Sequence, residues 1–321
     1  MRDIRIAAAQ FEHRDGDKVH NLGRIDDLVG RAVAAGAEVV SFHEGAISAY
    51  SYLQSATREE LRDVAESVPG GPSCQALQEI SSRHQVPVLA GLVEVDGDEI
   101  YNTYVCMTAD GCQARFRKLH AFLNPHLSSG SEYCVFDLLG CRVGILICYD
   151  NNLVENVRIT ALMGAEIIFM PHVTGCLPSV MPGRGLVDPQ LWDNREADPA
   201  RLRKELDGPK GREWLMRWLP ARAYENGVYA VFTNPIGMDG GEVRNGHAMV
   251  LDPFGEVIAE CRELGDDVCV GLCTDEKIGV SSGQRYLRAR RPDLYGKLVE
   301  PPDHPPETTP GWQRQPPADV E

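Results

Sequence analysis

Residues 143–152 read VGILICYDNN. Val143 to Ile147 is a short, apolar run with β-branched residues, bounded by Gly140 and by a polar stretch, and it reads as a strand in a buried sheet. The strand stops at Cys148, followed by Tyr149, Asp150, Asn151 and Asn152. Cys148 is therefore either one more buried apolar side chain or a thiol held out at the end of a strand.

Working outward, Cys134–Leu138 pairs with Val143–Ile147 across the turn LGC, Val154–Met163 reads as a helix, and Glu166–Met170 as the next strand. Upstream, Ile4–Phe11 is a strand, and Leu22, Ile25, Leu28, Val29, Ala32 and Val33 follow helical spacing up to Gly36. Glu38–Phe42 is a strand, Ser73–His84 a helix, and Val86–Val95 a strand broken at Gly91. Tyr101–Met107 and Gln113–Lys118 form a hairpin across TADGC. Downstream, a helix over Gly211–Asn226 leads into the strand Tyr229–Asn234, and three strands follow at His247–Leu251, Glu256–Cys261 and Val268–Thr274. Strand–helix alternation mixed with hairpins predicts an α/β fold with mixed sheets covered by helices. Two similar halves, each helix-covered on one face, would stack into a four-layer α-β-β-α sandwich. The expected organisation is one domain over residues 1–300, interrupted at 178–210 by a Pro-, Gly- and charge-rich insertion with one short helix near 199–206. Such an excursion reads as a lid, a binding loop or an interface element. From Pro301 a Pro-rich tail is expected to be extended.

Composition narrows the function. Of 321 residues 43% are apolar and 25% charged, ordinary for a globular chain. The net charge of −15 disfavours nucleic acid and anionic membrane as partners. No apolar run is long enough to span a bilayer, and the N-terminus reads as a first strand rather than a signal peptide. Ten cysteines without a CxxC pair speak against a zinc knuckle and for reduced thiols in a cytoplasmic protein. No metal or organic cofactor is indicated.

Three strand ends carry ionisable groups: Glu44 in VVSFHEGAISAY, Lys118 in ARFRKLHAF and Cys148 in GILICYDNN. Singly, each has an ordinary reading: a helix cap or solvated acid, a surface lysine, a core thiol. Together they are a base, a cation and a nucleophile, the parts that acyl transfer from nitrogen needs. Histidines 120 and 172 offer a weaker Cys–His alternative, since neither has an orienting neighbour in sequence.

As a set, these segments resemble the motifs of the nitrilase superfamily, the carbon–nitrogen hydrolases. FHEGAISAY resembles the first glutamate motif, RKLH the lysine motif and GILICYD the cysteine motif; Glu155, Arg158 and RAYENGVYAVFTNPIG extend the likeness over about residues 4–275. The resemblance implies a thiol-dependent hydrolase. Cys148 attacks the carbon bound to nitrogen, Glu44 takes and returns the proton, and Lys118 with the backbone N–H of Tyr149 stabilises the oxyanion. It further implies pocket positions for Tyr50 and Thr174, a Glu155–Arg158 salt bridge bracing the turn after Cys148, and a homo-oligomer. A second glutamate common in the family is missing; its place falls near Leu123, Asn124 or Pro125, and Asn124 can hydrogen-bond a substrate but cannot carry a proton. The expected substrate is a small linear amide or N-carbamoyl compound, with a nitrile as runner-up. A binding or regulatory module that has lost turnover is the alternative of another class.

Overall fold

The structure is a computed structural model and describes residues 1–301. The Pro-rich tail, apart from Pro301, lies outside the described residues. The first half of the chain runs β1 (Ile4–Gln10), α1 (Lys18–Ala34), β2 (Val39–Ser41), α2 (Arg58–Val64), α3 (Pro72–His84), β3 (Val88–Asp96), β4 (Glu99–Thr108) and β5 (Gly111–Arg117). The second begins with β6 (Cys134–Leu138), β7 (Cys141–Ile145), α4 (Val154–Leu162) and β8 (Ile167–Pro171). It continues through α5 (Pro189–Asp193), α6 (Pro199–Asp207), α7 (Arg212–Leu215), α8 (Leu219–Asn226) and β9 (Tyr229–Thr233). The hairpin β10 (Ile236–Asp239) and β11 (Glu242–Asn245) precedes β12 (Met249–Leu251), β13 (Val257–Glu260), β14 (Asp267–Cys273), α9 (Asp275–Val280) and α10 (Ser282–Arg288).

Two six-stranded sheets result, ordered β14-β1-β2-β3-β4-β5 and β6-β7-β8-β9-β12-β13. Read in those directions, both sheets have the same succession of pairings: one antiparallel, two parallel, two antiparallel. The two halves are thus alike in topology, as the sequence pattern suggested. β1 shows how the layers form. Its Ile4, Ile6 and Ala8 point into the core between the sheets, while Ala7 and Ala9 point to the opposite face. There they meet Ile25, Leu28 and Val29 of α1 and Leu77 and Ile80 of α3. On the second sheet, Val157 and Ala161 of α4 and Leu219 and Ala223 of α8 cover the outer side. Strands buried on both faces read as continuous apolar runs, which is why Val143–Ile147 carries no alternation. The α-β-β-α sandwich is the observed fold.

Four local expectations change. β3 is unbroken through Gly91; the glycine is there because a Cβ would sit 2.4 Å from the backbone nitrogen of Gly45. Gly91 therefore lets the segment carrying Glu44 lie directly on the sheet. The helix expected over 211–226 is two, because Pro220 in the first turn of α8 begins a new helix after a break at residues 216–218. The hairpin β10–β11, turning at Gly240-Gly241 with φ of 58° and 85°, was not expected. Finally, the 178–210 segment forms two helices, α5 and α6, and packs Val187, Trp192, Leu202 and Leu206 against Ile236 and Val243 of that hairpin.

Candidate active site

Glu44 follows β2, Lys118 follows β5, Cys148 follows β7 and Val173 follows β8, so two strand ends from each sheet converge on one place. Glu44 is fully buried. Its Oε1 accepts hydrogen bonds from Lys118 Nζ at 2.6 Å and from Asn102 Nδ2 at 2.6 Å, and its Oε2 accepts one from Val173 N at 3.1 Å. Lys118, also buried, donates a second bond to the Tyr50 hydroxyl at 3.2 Å and lies 4.7 Å from the centre of the Phe122 ring. Burial opposes the Lys118 charge, but Glu44, with Tyr50, Cys148 and Asp150, outweighs it and holds the ammonium well above the ordinary lysine range. Burial likewise raises the Tyr50 phenol, reinforced by the Glu44 charge, so its proton stays on.

Cys148 stands on a left-handed backbone, φ 49°, unusual for a residue with a side chain. The strain is held by a dense set of bonds. Asp150 accepts from the backbone nitrogens of Leu119, His120 and Ile147 and contacts His120 Nδ1 at 2.8 Å. It thereby joins the residues after Lys118 to the turn at Cys148. Asn151 Nδ2 donates to the carbonyls of Leu146 and Cys148, Asn156 Nδ2 donates to the Asp150 carbonyl, and Arg222 donates to the carbonyls of Asn151 and Asn152. Burial, then the Glu44 carboxylate, pushes the Cys148 thiol up to about 12, with Lys118 opposing. The resting sulfur is a thiol.

Cys148 opens onto a cavity of about 270 Å³ that Tyr50, Tyr149, Val173 and Thr174 also line. The structure therefore brings together Glu44, Lys118 and Cys148, with Tyr50, Tyr149 and Thr174 around them. Asn124 is elsewhere. Its Nδ2 donates to the carbonyls of Leu53, Gln54 and Ala56 and its Oδ1 accepts from His126 N, so its polar groups tie two loops together. The expected Glu155–Arg158 pair does not form. Arg158 feels burial and then Glu225, and its Nη1 is buried without a partner, while Arg222 takes the bracing task. His172 is buried, donates from Nδ1 to the Met170 carbonyl and packs on Phe232 and Trp218; His120 is held by Asp150. Cys148 Sγ donates to the Val173 carbonyl at 3.8 Å and to neither histidine, which leaves the Cys–His alternative without support. Asn102 was missed from sequence, although a polar residue inside the apolar strand YNTYVCM was its signal.

A carboxylate, an ammonium and a thiol gathered at the ends of strands from two stacked sheets, beside one cavity, is a family-level arrangement. The sequence matches the carbon-nitrogen hydrolase family over residues 5–279. The chain belongs to that family. It is an enzyme of the nitrilase superfamily, and its relatives divide among amidases and nitrilases. An (R)-stereoselective amidase from Pseudomonas sp. is 30% identical over 94% of this chain and 96% of its own length. A nitrilase from Pyrococcus abyssi is 26% identical over 88% and 91%, and the omega-amidase of Homo sapiens 26% over 94% and 100%. Among solved structures, a double mutant of the amidase from Nesterenkonia sp. AN1, in complex with acrylamide, superposes with a TM-score of 0.68. It is 22% identical over 92% of this chain and 97% of that one, a likeness of fold.

Among the described residues, His13, Asp15 and Asp239 form a group of metal-ligating types whose candidate atoms lie within 4.8 Å of one another. Asp239 is already spent on Arg244, Ser51 and His13, so a cation there would compete with a guanidinium. No helix of the described residues is long and apolar enough to cross a membrane.

Proposed function

We propose that this hydrolase cleaves a small amide or N-carbamoyl compound through a thioester on Cys148, releasing ammonia or an amine. The observation that carries the reading is the buried Lys118–Glu44 contact at 2.6 Å, whose partners Tyr50 and Val173 line the cavity onto which Cys148 opens. A thiol raised by burial is a poor nucleophile until its proton leaves. Glu44 keeps one oxygen, Oε2, with only the Val173 N–H on it, and so has an acceptor site to spare. In the acylation step the Cys148 proton passes to Glu44 as the sulfur attacks the carbonyl carbon. Glu44 then returns that proton to the leaving nitrogen as the C–N bond breaks. Deacylation repeats the exchange with water: Glu44 takes a water proton, hydroxide adds to the thioester, and the proton returns to the sulfur.

The oxyanion formed in each half is assigned to Lys118 and to the backbone N–H of Tyr149. Two of the three Lys118 protons go to Glu44 and Tyr50 among the described residues, which leaves one for substrate. Tyr50 accepts from Lys118 and keeps its own O–H to donate. Thr174 is read as a wall of the pocket. The cytoplasmic setting remains part of this reading, supported by ten unpaired cysteines. So does a homo-oligomer, for which the exposed apolar Val154, Ile159, Leu162 and Met163 on and just after α4 offer a face.

The test is ammonia release from a panel of linear amides, N-carbamoyl compounds and nitriles, with mass spectrometry of the protein during turnover. The reading expects amide turnover and an acyl mass on the peptide containing Cys148, both lost in Cys148→Ala. Turnover of nitriles alone would replace it with the nitrilase reading. Ligand binding with neither ammonia nor adduct would replace it with the binding-module reading.

A further inference from the structure

The cavity beside Cys148 is walled on its outer side by two residues that the catalytic reading does not use, Arg184 and Trp214. Arg184 comes from the 178–210 segment and Trp214 from α7. The guanidinium carbon of Arg184 lies 3.8 Å from the centre of the Trp214 ring. Stacking uses the flat face of a guanidinium and leaves its in-plane N–H groups free, and that edge is the part that receives a carboxylate on two parallel bonds.

The edge is not otherwise satisfied. Arg184 Nε is enclosed without a hydrogen-bond partner, and its Nη groups make no hydrogen bond or ion pair among the described residues, so the Nη side is the edge left for a ligand. No carboxylate is among the groups acting on its charge: burial disfavours the cation, and Arg217 adds to the effect. The neighbouring Arg244 is different. It also lines the cavity, but its charge is countered by Asp239, 2.9 Å from Nε, and by Glu242, 2.9 Å from Nη1, even though that Nη1 makes no hydrogen bond. Glu242, the acid on the same wall, is thereby occupied as well. The cavity wall thus carries a half-buried cation without a counterion among the described residues, its guanidinium carbon close over an indole ring. A buried charge lacking its partner is unfavourable until one arrives.

We propose that Arg184 is a specificity-determining residue that receives a carboxylate of the substrate, so that this enzyme acts on small amides or N-carbamoyl compounds bearing an anionic group. The proposal rests on the amidase reading of the same site. Its test separates the two by measuring binding apart from turnover.

Binding is measured by titration calorimetry on Cys148→Ala, which holds substrate without consuming it. Succinamate is compared with butyramide, its neutral counterpart, and with β-alaninamide, its cationic one; N-carbamoylglycine is compared with propylurea. A carboxylate on a free guanidinium edge should tighten binding by about tenfold or more over the neutral member of at least one pair. Adding Arg184→Gln should collapse that ratio towards one. Arg184→Lys should keep only part of it, since an ammonium is not a planar fork. Unfolding midpoints of the variants establish that the fold is retained. Should Arg184→Gln not fold, the ratio in the unaltered pocket and its reduction by Arg184→Lys decide the matter.

Equal binding of anionic and neutral members, or preference for β-alaninamide, overturns the assignment. In the latter case Glu242 would be the recognising group. Ammonia release by the native enzyme is scored separately. Its absence from every compound, with preferential carboxylate binding intact, would sink the amidase reading and leave the Arg184 assignment standing.

Discussion

Lys118–Glu44 and Arg244–Asp239 are both buried cation–carboxylate pairs, with contacts of 2.6 and 2.9 Å, yet the two carboxylates are filled differently. Asp239 receives Arg244 Nε and Ser51 Oγ on one oxygen, and Ser51 N and His13 Nε2 on the other. Each oxygen has two partners, and nothing is left for chemistry. Glu44 has two partners on Oε1 but only Val173 N on Oε2, and a thiol stands beside it. Burial and pairing are common to both. What separates a proton carrier from a structural brace is the unused acceptor site and the group next to it. Buried pairs are weak evidence of stability in themselves, because desolvation offsets most of the attraction. The contrast therefore has to be drawn from what each pair leaves open.

The contrast breaks most visibly at Glu44. Glu44→Gln keeps the shape but cannot hold a proton, and kcat for amide hydrolysis should fall by about 10³-fold, within the range for general acid–base groups. Its unfolding midpoint should fall as well, because Lys118 is then left buried beside a neutral amide. A near-normal kcat in steady-state ammonia assays would show that Glu44 is a brace as well. Lys118→Arg comes next. A guanidinium is wider than an ammonium and cannot fit between Glu44 Oε1 and the Tyr50 hydroxyl, so kcat should fall by roughly 10²-fold or more. Rates close to native would remove Lys118 from the oxyanion role.

Asp239→Asn tests the opposite side. Leaving Arg244 buried beside a neutral amide should lower stability by about 3 kcal/mol in urea titrations at neutral pH, with a much smaller loss of kcat per folded molecule. The pH dependence has a definite sign. Burial alone would raise the Asp239 carboxyl, but Arg244 and then His13 overcome it and hold the carboxyl far below the usual range. A depressed acid contributes stability above its unfolded value, near 3.9, and loses it as pH falls towards its folded value. The gap between native and Asp239→Asn should therefore be full at neutral pH and shrink below pH ~4 by about 1.4 kcal/mol per unit. A gap that widens in acid would mean that Asp239 is not the ionised partner.

The same contrast explains what the sequence made legible. Glu44 and Cys148 follow short buried apolar strands and Lys118 follows the mixed, half-buried strand Gly111–Arg117, and the change to polar residues at each end could be read from local pattern. Asp239 and Arg244 lie on the hairpin β10–β11, whose four-residue strands are too short for alternation to show; only Gly240-Gly241 marked the turn. Asn124 was misplaced because a loop asparagine satisfies backbone carbonyls as readily as a ligand, and its partners at residues 53–56 are remote in sequence. The Glu155–Arg158 pair failed for a related reason. Helical spacing allows the contact, but α8 supplies Arg222 to the same carbonyls that needed bracing. The 178–210 segment suggested one short helix rather than two because its apolar residues are sparse. Its core is completed by Ile236 and Val243, which periodicity within the segment cannot reveal.

Asn102 offers the finest cut. It sits on β4, pairs with Val93 in the sheet and puts Nδ2 2.6 Å from Glu44 Oε1, on the oxygen that Lys118 also holds. A hydrogen bond to the charged form of an acid favours that form. Removing it in Asn102→Ala takes away one of the two bonds that fix Oε1, and kcat for amide hydrolysis should fall by roughly tenfold with the fold kept, since a hydrogen bond to a charged group contributes about 1.5–3 kcal/mol and Lys118 remains. Asp239 has no such lever, because loss of any one partner leaves three. A variant with native kcat would mean that Lys118 and the Val173 N–H hold the Glu44 carboxylate without Asn102.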